Sequence, residues 1–367
     1  HSGSIGLDRL GFSQAANADV SAYGTYAIDA SAQGSVVNLG KAGAVGGKVI
    51  INNHIVGHDA INFLSGSTGG GLELQALGIL ETRSGNVELN PVGDSVLTGS
   101  LIAAGRNADI ILNASRSIEV RGDLTADRDI IINGGTGIET GVTSIYTHSS
   151  SVLQSTGDSG RILITGLNDV TINSKIGHDN PGLSEVTIIA ESGTLTLAKE
   201  AGNIETASKL SLKGQNLVIE GVLTSLNATD TLTDYEVTMQ ASQDAIISGS
   251  FDLAGSLLIK AGRDLSIFNT GISTDKDGQR ITAQAGRDIL LGNVYPAAGD
   301  TQSYGAIIEA DSLIEMKAAG QIVVGADAQL YTETDNSEIK LKASTLQLVG
   351  SVRAGADYDV ETGSFAW

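Results

Sequence analysis

Short stretches in which apolar and polar residues alternate follow one another along most of this chain. From Glu338 to Gly350, two such stretches of five or six residues meet at a corner of small residues. Successive side chains of a β-strand point to opposite faces, so each stretch presents an apolar row inward and a polar row outward. The recurrence of this unit predicts a stacked β-repeat, in which function resides on a surface.

The turn phrases recur at the length of a whole coil. Ala-Gly-Arg-Asn at 104–107 recurs as Ala-Asp-Arg-Asp at 126–129, 22 residues on, and Ala-Gly-Arg-Asp at 261–264 recurs at 285–288, 24 residues on. A coil of about 20–24 residues is typical of a parallel β-helix, where each strand pairs with its equivalent about 4.8 Å above. We therefore predict an all-β fold, a single-stranded parallel β-helix (β-solenoid) of about 15 coils with loops inserted at its corners.

The repeats are expected to occupy residues 35–350. Residues 1–34 are interpreted as an irregular entry segment or the edge of preceding repeats, and residues 351–367 as a carboxy-terminal edge segment. The chain begins His1-Ser2 without methionine, and neither end shows a helix that could cap an open ladder edge. We expect it to be a piece of a longer protein.

Composition restricts the classes of partner. A net charge of −20 argues against nucleic acid and anionic membranes, because both select clustered Lys and Arg. No run of about 18 apolar residues is present, so membrane insertion is not expected. The absence of cysteine excludes disulfides, Cys-ligated zinc and thiol catalysis.

The Ala-Gly-Arg-Asp turns at 261–267 and 285–291 resemble those of filamentous-haemagglutinin-like exoproteins of bacteria. The phrases at 104–107 and 126–129 look like variants of the same turn. The resemblance is one of repeat style over roughly residues 35–350. It implies a right-handed parallel β-helix, export to the bacterial cell surface, and adhesive or fibre-forming work.

Four loops interrupt the repeat: 40–47, 57–71, 177–184 and 292–305. Insertions in solenoids project from corners, where binding residues are common. Tyr295, Asp300 and Tyr304 lie in the last loop and are the candidate partner-binding residues, since aromatic side chains are rare elsewhere in this chain. The alternative is that the two tyrosines cover an exposed corner of the core.

Two His-Asp pairs combine an imidazole with a carboxylate, the groups of metal and acid–base sites. His58-Asp59 and His178-Asp179 lie 120 residues apart, about five coils, which is too far to share one ion. We interpret each histidine as making a corner hydrogen bond to a loop carbonyl.

Two further motifs receive structural interpretations. Arg121-Gly122-Asp123 is an integrin-type tripeptide, but its glycine stands where one alternating set ends, so we interpret it as a corner. Asp275 and Asp277 resemble the start of a calcium loop that lacks its distant acidic ligand. We predict no catalytic residues, no metal site and no cofactor, with calcium only as an adventitious ion.

These observations favour a non-enzymatic extracellular rod, a segment of a large bacterial surface adhesin or fibre that mediates attachment or biofilm or envelope assembly. The expected partners are host or bacterial surface glycans or proteins, and self-association of rods remains open. The alternative is a carbohydrate-active β-helix enzyme, a polysaccharide lyase or hydrolase, which needs charged groups that converge on adjacent coils. We find no stack of charges at equivalent repeat positions. Ice binding is a third alternative, disfavoured because Thr-x-Thr pairs do not recur on successive coils.

Overall fold

The structure is a computed structural model that describes most of the chain. The described residues are 4–6, 18–20, 28–39, 48–63, 71–135, 143–157, 159–177, 183–199, 202–206, 209–226, 235–274, 277–292 and 305–355. Within these ranges the regular structure is β-strand, without a helix. The chain divides into two compact units, an amino-terminal unit of His1–Gly193 and a carboxy-terminal unit of Thr194–Trp367.

Both units are built from three parallel sheets, because each coil adds one strand to each sheet in turn. In the amino-terminal unit the first sheet contains β1 (Ser4–Gly6), β4 (Val36–Leu39), β7 (Ala60–Phe63), β10 (Asn86–Leu89), β13 (Ile110–Ala114), β16 (Ile130–Gly134), β19 (Arg161–Gly166) and β22 (Glu185–Ala190). The second contains β2 (Ala18–Val20), β5 (Val49–Ile51), β8 (Leu72–Leu74), β11 (Ser95–Leu97), β14 (Ile118–Val120), β17 (Ile145–Thr147) and β20 (Val170–Ile172). The third contains β3 (Ile28–Ala30), β6 (His54–Gly57), β9 (Ile79–Thr82), β12 (Ser100–Ala103), β15 (Leu124–Ala126), β18 (Val152–Ser155) and β21 (Lys175–Ile176).

The carboxy-terminal unit repeats this arrangement. Its first sheet contains β25 (Lys209–Gly214), β28 (Val237–Ala241), β31 (Leu257–Ala261), β34 (Arg280–Ala285), β37 (Leu313–Ala318) and β40 (Glu338–Lys342). Its second contains β23 (Thr194–Leu197), β26 (Asn216–Ile219), β29 (Ala245–Ile247), β32 (Leu265–Ile267), β35 (Ile289–Leu291), β38 (Gln321–Val324) and β41 (Thr345–Leu348). Its third contains β24 (Ile204–Thr206), β27 (Leu223–Ser225), β30 (Phe251–Leu253), β33 (Thr270–Thr274), β36 (Ala306–Ala310), β39 (Gln329–Thr332) and β42 (Ser351–Arg353).

The predicted all-β solenoid of parallel strands is confirmed. The described residues contain 42 strands, three per coil and hence fourteen coils, so the predicted figure of about 15 was slightly high. Strands β1–β3, within residues 1–34, pair with β4–β6, and β42, beyond residue 350, pairs with β39.

The core consists of columns of branched aliphatic side chains that stack from coil to coil. Ile110, Ile130 and Ile162 are paired in register on β13, β16 and β19, and all three are fully buried. Burial of one such side chain stabilises the fold by about 1.5–3 kcal/mol. The alternation read from the sequence therefore identifies the inward rows of the first and second sheets.

The third sheet lacks a clear apolar alternation because its strands are short and several end on an inward hydroxyl. Thr82, Ser155, Thr206 and Ser225 end strands of this sheet and are buried. Ser155 Oγ, for example, donates to the carbonyl oxygen of Arg128 at 2.6 Å. A hydroxyl that bonds to the corner backbone is tolerated inside, whereas an unpaired one would be costly.

Glycines stack at one corner of the amino-terminal unit, between the second and third sheets. A Cβ on Gly99 would lie 2.0 Å from the carbonyl oxygen of Gly78, and a Cβ on Gly122 would lie 2.0 Å from that of Gly99. Successive backbones thus approach more closely than any side chain allows, which explains the choice of glycine at this corner.

The recurring Arg-Asp phrase forms ladders that join successive coils. Arg263 Nε donates to Asp244 Oδ1 at 2.7 Å, and Arg287 Nε donates to Asp264 Oδ1 at 2.7 Å, each reaching back one coil. The hydrogen bond from Arg263 is the largest cause of the lowered pKa of Asp244. Each phrase therefore supplies a cation for the coil before it and an anion for the coil after it.

A similar ladder in the amino-terminal unit occupies a different corner. Arg128 Nε donates to Asp109 Oδ1 at 2.8 Å, and Arg161 Nη2 donates to Asp129 Oδ2 at 2.6 Å. These residues adjoin the start of first-sheet strands, whereas the 261–264 phrase joins the first sheet to the second. The phrases at 126–129 and 261–264 were interpreted as variants of one turn, but they lie at different corners of the coil. The same arginine–aspartate pairing is used at both corners.

Candidate functional site

A shallow groove crosses the outward face of the second sheet in the amino-terminal unit. Its volume is about 350 Å³, and its lining is Asp94, Ser95, Val96, Ser117, Ile118, Glu119, Ser144 and Tyr146. Strands β11, β14 and β17 place Val96, Glu119 and Tyr146 in one outward column, since these residues are paired in register. This volume is near the lower end of the range for small-molecule sites.

Tyr146 is the aromatic element of the groove. Its side chain is 38% exposed, although buried aromatic rings are the rule in cores. The ring contacts His148 edge to face, with ring centroids 6.4 Å apart. His148 Nδ1 lies 3.1 Å from Ser150 Oγ, which is within hydrogen-bonding distance. Tyr146 is therefore supported at one side while its other surface faces solvent.

The carboxylates of the groove are positioned by donors from the same or the next coil. Arg121 Nε donates to Glu119 Oε1 at 2.7 Å, and the Ser117 backbone N–H donates to Asp94 Oδ1 at 3.1 Å. Carboxylates have further acceptor lone pairs, so both can still accept from a ligand hydroxyl. With two acids and one guanidinium, the groove carries a net negative charge, which disfavours anionic ligands.

On the preceding coil, the outward column that contains Val96 continues with Glu73, whose carboxylate is in a salt bridge. Glu73 is in register with Val96 and forms a salt bridge with Lys48. The hydrogen bond from Lys48 is the largest cause of the lowered pKa of Glu73, and Gln75 adds a second hydrogen bond. The acid on this neighbouring coil is thus already occupied by protein donors.

The sequence did not single out the residues of this groove. Asp94, Glu119 and Tyr146 lie on three different coils and become neighbours only through the strand register. The available signal was an aromatic residue at the outward position of the short strand Ile145–Thr147.

The candidate partner-binding residues Tyr295, Asp300 and Tyr304 lie outside the described residues, as do the loop positions around them. Their role in binding stays a prediction. Of the two His-Asp pairs, His178-Asp179 also lies outside the described part of the chain.

The interpretation of the remaining pair was wrong in its partner. His58 Nδ1 forms its hydrogen bond with the carboxylate of the adjacent Asp59, not with a loop carbonyl. Asp59 also accepts from the backbone N–H of Gly34 at 3.4 Å. The pair therefore links neighbouring coils at a corner.

The Arg-Gly-Asp tripeptide is built into a corner, as its position in the repeat indicated. Gly122 is the last glycine of the corner stack, and Asp123 Oδ1 accepts from the Val152 backbone N–H at 2.9 Å. Arg121 is paired with Glu119. Both charged side chains are thus engaged within the fold.

Metal ligands do not converge in the described ranges. No group of three or more His, Cys, Asp or Glu side chains there is arranged to hold a metal ion. Of the residues that resemble a calcium loop, Asp275 lies outside the described residues, and next to Asp277 the Gly278 N–H donates to Asp311 Oδ2 at 2.5 Å.

The expectation that charges do not stack at equivalent positions was wrong. Lys213, Lys260 and Lys317 occupy one outward column of the first sheet in the carboxy-terminal unit, on alternate strands. They are separated by 47 and 57 residues in the sequence, because coils differ in loop length. A constant sequence period therefore does not reveal them.

No protein-family model matches this chain, and no curated protein or solved structure matches it. Among the described residues, no helix is long and apolar enough to cross a membrane.

Proposed function

We propose that this chain is a non-enzymatic extracellular rod, a segment of a bacterial surface adhesin or fibre that mediates attachment to surface glycans. The observation that supports the proposal is that charged side chains of this chain pair with each other between successive coils. In both units, arginine–aspartate pairs such as Arg128–Asp109 and Arg263–Asp244 join one coil to the next. Charges used in this way stabilise a long stack and leave binding to grooves and corner loops.

The ligand we propose is a glycan that rests on Tyr146. The C–H bonds of a sugar face carry weak positive charge and pack on an aromatic ring, whose face is negative. Asp94 and Glu119 would accept hydrogen bonds from sugar hydroxyls, and Ser117 and Ser144 would offer small polar contacts. Few immobilised groups take part, so the affinity for one glycan chain is expected to be low.

The test compares attachment of the wild type and three altered forms to a glycan array and to bacterial and host-cell surfaces. Tyr146→Ala is expected to lose attachment, whereas Ile246→Ala, which removes a 39% exposed side chain from the second sheet of the other unit, is expected to retain it. A third protein lacking residues 293–304 tests the loop that contains Tyr295, Asp300 and Tyr304. If none of these proteins attached, the wild type included, an adhesive role would be overturned.

A carbohydrate-active enzyme is the second candidate, favoured by the carboxylates of Asp94 and Glu119 in one groove. Hydrolysis needs two carboxyl groups about 5–10 Å apart, one of them protonated. Here Glu119 already accepts a hydrogen bond from Arg121 Nε, so its carboxylate is held in place by the fold. The test measures new reducing ends and unsaturated products from neutral and acidic polysaccharides; turnover lost in Glu119→Gln would establish the enzyme.

A further inference from the structure

Seven basic residues occupy outward positions on the first sheet of the carboxy-terminal unit. They are Lys209, Lys213, Lys260, Arg280, Lys317, Lys340 and Lys342. The same strands have two acidic residues at outward positions, Glu315 and Glu338. The whole chain has 22 Lys and Arg and a net charge of −20. About a third of its basic residues thus lie on one face of one unit, which gives that face a positive potential.

The lysines of this face form a regular row. Strand register aligns Lys213, Gln240, Lys260, Gln284 and Lys317 in one outward column over five successive coils. We call this column the lysine row. Because neighbouring strands lie about 4.8 Å apart, the ammonium groups of these five coils recur about every 10 Å with an uncharged amide between them, and Lys342 on the next strand follows Lys317 directly.

A second row on the third sheet of the same unit has the opposite charge and the same period. Strand register aligns Glu205, Thr224, Asp252, Ser273 and Glu309 on the third-sheet strands that directly precede those of the lysine row, and Tyr331 continues the column on the next strand. We call this column the acidic row. Carboxylates occupy alternate strands, and an uncharged hydroxyl residue lies between them.

The two rows match position by position. Lys-Gln-Lys-Gln-Lys on one sheet corresponds to Glu-Thr-Asp-Ser-Glu on the other, with charges at the same intervals. Opposite charges would face each other and uncharged polar residues would face each other if two copies lay side by side. A displacement by one coil would place lysines opposite hydroxyls, so the match selects registers that differ by two coils, about 10 Å.

We propose that the lysine row of one copy binds the acidic row of a second copy, so that chains associate sideways with each lysine opposite a carboxylate. The interface uses two different surfaces, so it does not close on itself as a symmetric dimer does, and each added copy still presents one row of each kind. This inference rests on the proposed structural role of the rod. It identifies the partner of these two faces as another copy of the chain.

The expected strength of the contact follows from its size. Five coils extend about 20–25 Å, a small area compared with the roughly 800 Å² per partner of a standard interface. Surface ion pairs add little individually, and the overall negative charge of the chains opposes their approach. Free chains should therefore associate weakly, whereas many chains held side by side on a surface should associate through avidity.

Charge reversal tests the pairing of the rows. The lysine variant carries Lys213→Glu, Lys260→Glu and Lys317→Glu, and the acid variant carries Glu205→Lys, Asp252→Lys and Glu309→Lys. Sedimentation velocity over a wide concentration range should show weak association of the wild type and loss of association for each variant alone. An equimolar mixture of the two variants should associate again, because two acidic rows then meet two basic rows.

A matched control separates this effect from a change of net charge. Lys48→Glu, Lys175→Glu and Lys199→Glu alter the net charge as much as the lysine variant but lie outside the rows. This control is expected to associate like the wild type at moderate ionic strength. Thermal unfolding of every variant shows whether it has folded, and the restored association of the mixture cannot arise from unfolded chains.

Zero-length cross-linking then locates the contact. A carbodiimide joins a lysine amine to a carboxylate only at contact distance, and a mixture of ¹⁴N- and ¹⁵N-labelled chains distinguishes links between copies from links within one copy. Mixed-isotope links such as Lys260 to Asp252 would support the proposal. Absence of concentration-dependent association, failure of the mixture to associate, or links that map outside the rows would overturn it.

The same variants distinguish the other possible occupant of the lysine row, an acidic polysaccharide. If the wild type binds an immobilised acidic polysaccharide, the lysine variant does not, and sedimentation shows no self-association, then the row binds that polymer and the proposed pairing is wrong. Attachment to neutral glycans through Tyr146 is measured separately. The proposed adhesive role can therefore stand while this pairing fails, and the reverse.

Discussion

The corner glycine Gly122 offers the sharpest test of how coils are spaced. In Gly122→Ala the new Cβ would lie 2.0 Å from the carbonyl oxygen of Gly99, 2.6 Å from its carbonyl carbon and 2.7 Å from the carbonyl oxygen of Thr98. All three are backbone atoms. The coils must separate locally by more than 1 Å to restore an ordinary contact, because contacts of this kind begin near 3.4 Å.

That separation weakens the ladder at the same corner. The N–H groups of Arg121 and Gly122 donate to the carbonyl oxygen of Leu97 at 2.7 and 3.0 Å. Overpacking costs about 1–3 kcal/mol and a weakened hydrogen bond about 1 kcal/mol, while loss of glycine freedom in the unfolded chain returns about 0.4–1 kcal/mol. We expect a net loss of about 1–3.5 kcal/mol, or about 2–14 °C in melting temperature.

Gly271→Ala is the matched control. A Cβ at that position meets no atom within 4 Å, so this variant should unfold like the wild type or be slightly more stable. Urea unfolding followed by circular dichroism gives the free energies, and hydrogen exchange locates the opening near β14 and β15. Equal stabilities of Gly122→Ala and Gly271→Ala would refute the close stacking of corner backbones.

Three further predictions concern hydrogen bonds between or within coils. Arg263 holds the pKa of Asp244 below its ordinary value of 3.8. The stabilisation that this pair gives the folded chain is therefore present above about pH 4 and lost as the pH falls through the lowered pKa. An NMR titration of the Asp244 carboxyl should show a midpoint that rises in Arg263→Gln, and an unchanged midpoint would contradict the pairing. Asn113 donates a hydrogen bond to Asn90 Oδ1 on the preceding coil at 2.9 Å and accepts one from Asn133 Nδ2 on the following coil at 2.8 Å. Asn113→Ala should therefore lower the free energy of unfolding in urea by about 1–2 kcal/mol. An unchanged free energy of unfolding would show that these hydrogen bonds contribute nothing. Burial, followed by the hydrogen bond to Glu309, raises the pKa of Tyr331 to about 12 from 10.0. The stabilisation of the folded chain by the neutral tyrosine is therefore lost as the pH rises from 10.0 towards the folded-state pKa. The absorbance difference between wild type and Tyr331→Phe should titrate near the folded-state pKa and shift to lower pH in Glu309→Gln, whereas an unshifted midpoint would contradict the contact.

The sequence predicted most of the repeat because a buried row needs apolar side chains at every second position. Ile110, Leu112 and Ala114 follow that rule and are buried as expected. The third sheet was harder to identify because three-residue strands such as Leu223–Ser225 contain one apolar inward residue and end on a hydroxyl. A pattern so short is not distinguishable from a turn.

The candidate sites could not be predicted from the sequence because they depend on register between coils of unequal length. The groove forms from residues on three coils, and Asp94 and Tyr146 line it together only because of the strand register. The lysine row likewise requires Lys260 to align with Lys317 across coils with different loops. Once the pairing of strands is known, outward columns can be compared directly, and both features become visible.

The size of a neutral polysaccharide before and after incubation with the chain, recorded by light scattering together with the amount of protein bound, distinguishes attachment from catalysis. For a non-enzymatic rod, we expect that the wild type binds the polymer without shortening it and that Tyr146→Ala does not bind. A polymer that becomes shorter with the wild type and stays intact with Glu119→Gln would contradict a non-enzymatic role and would make the groove an active site.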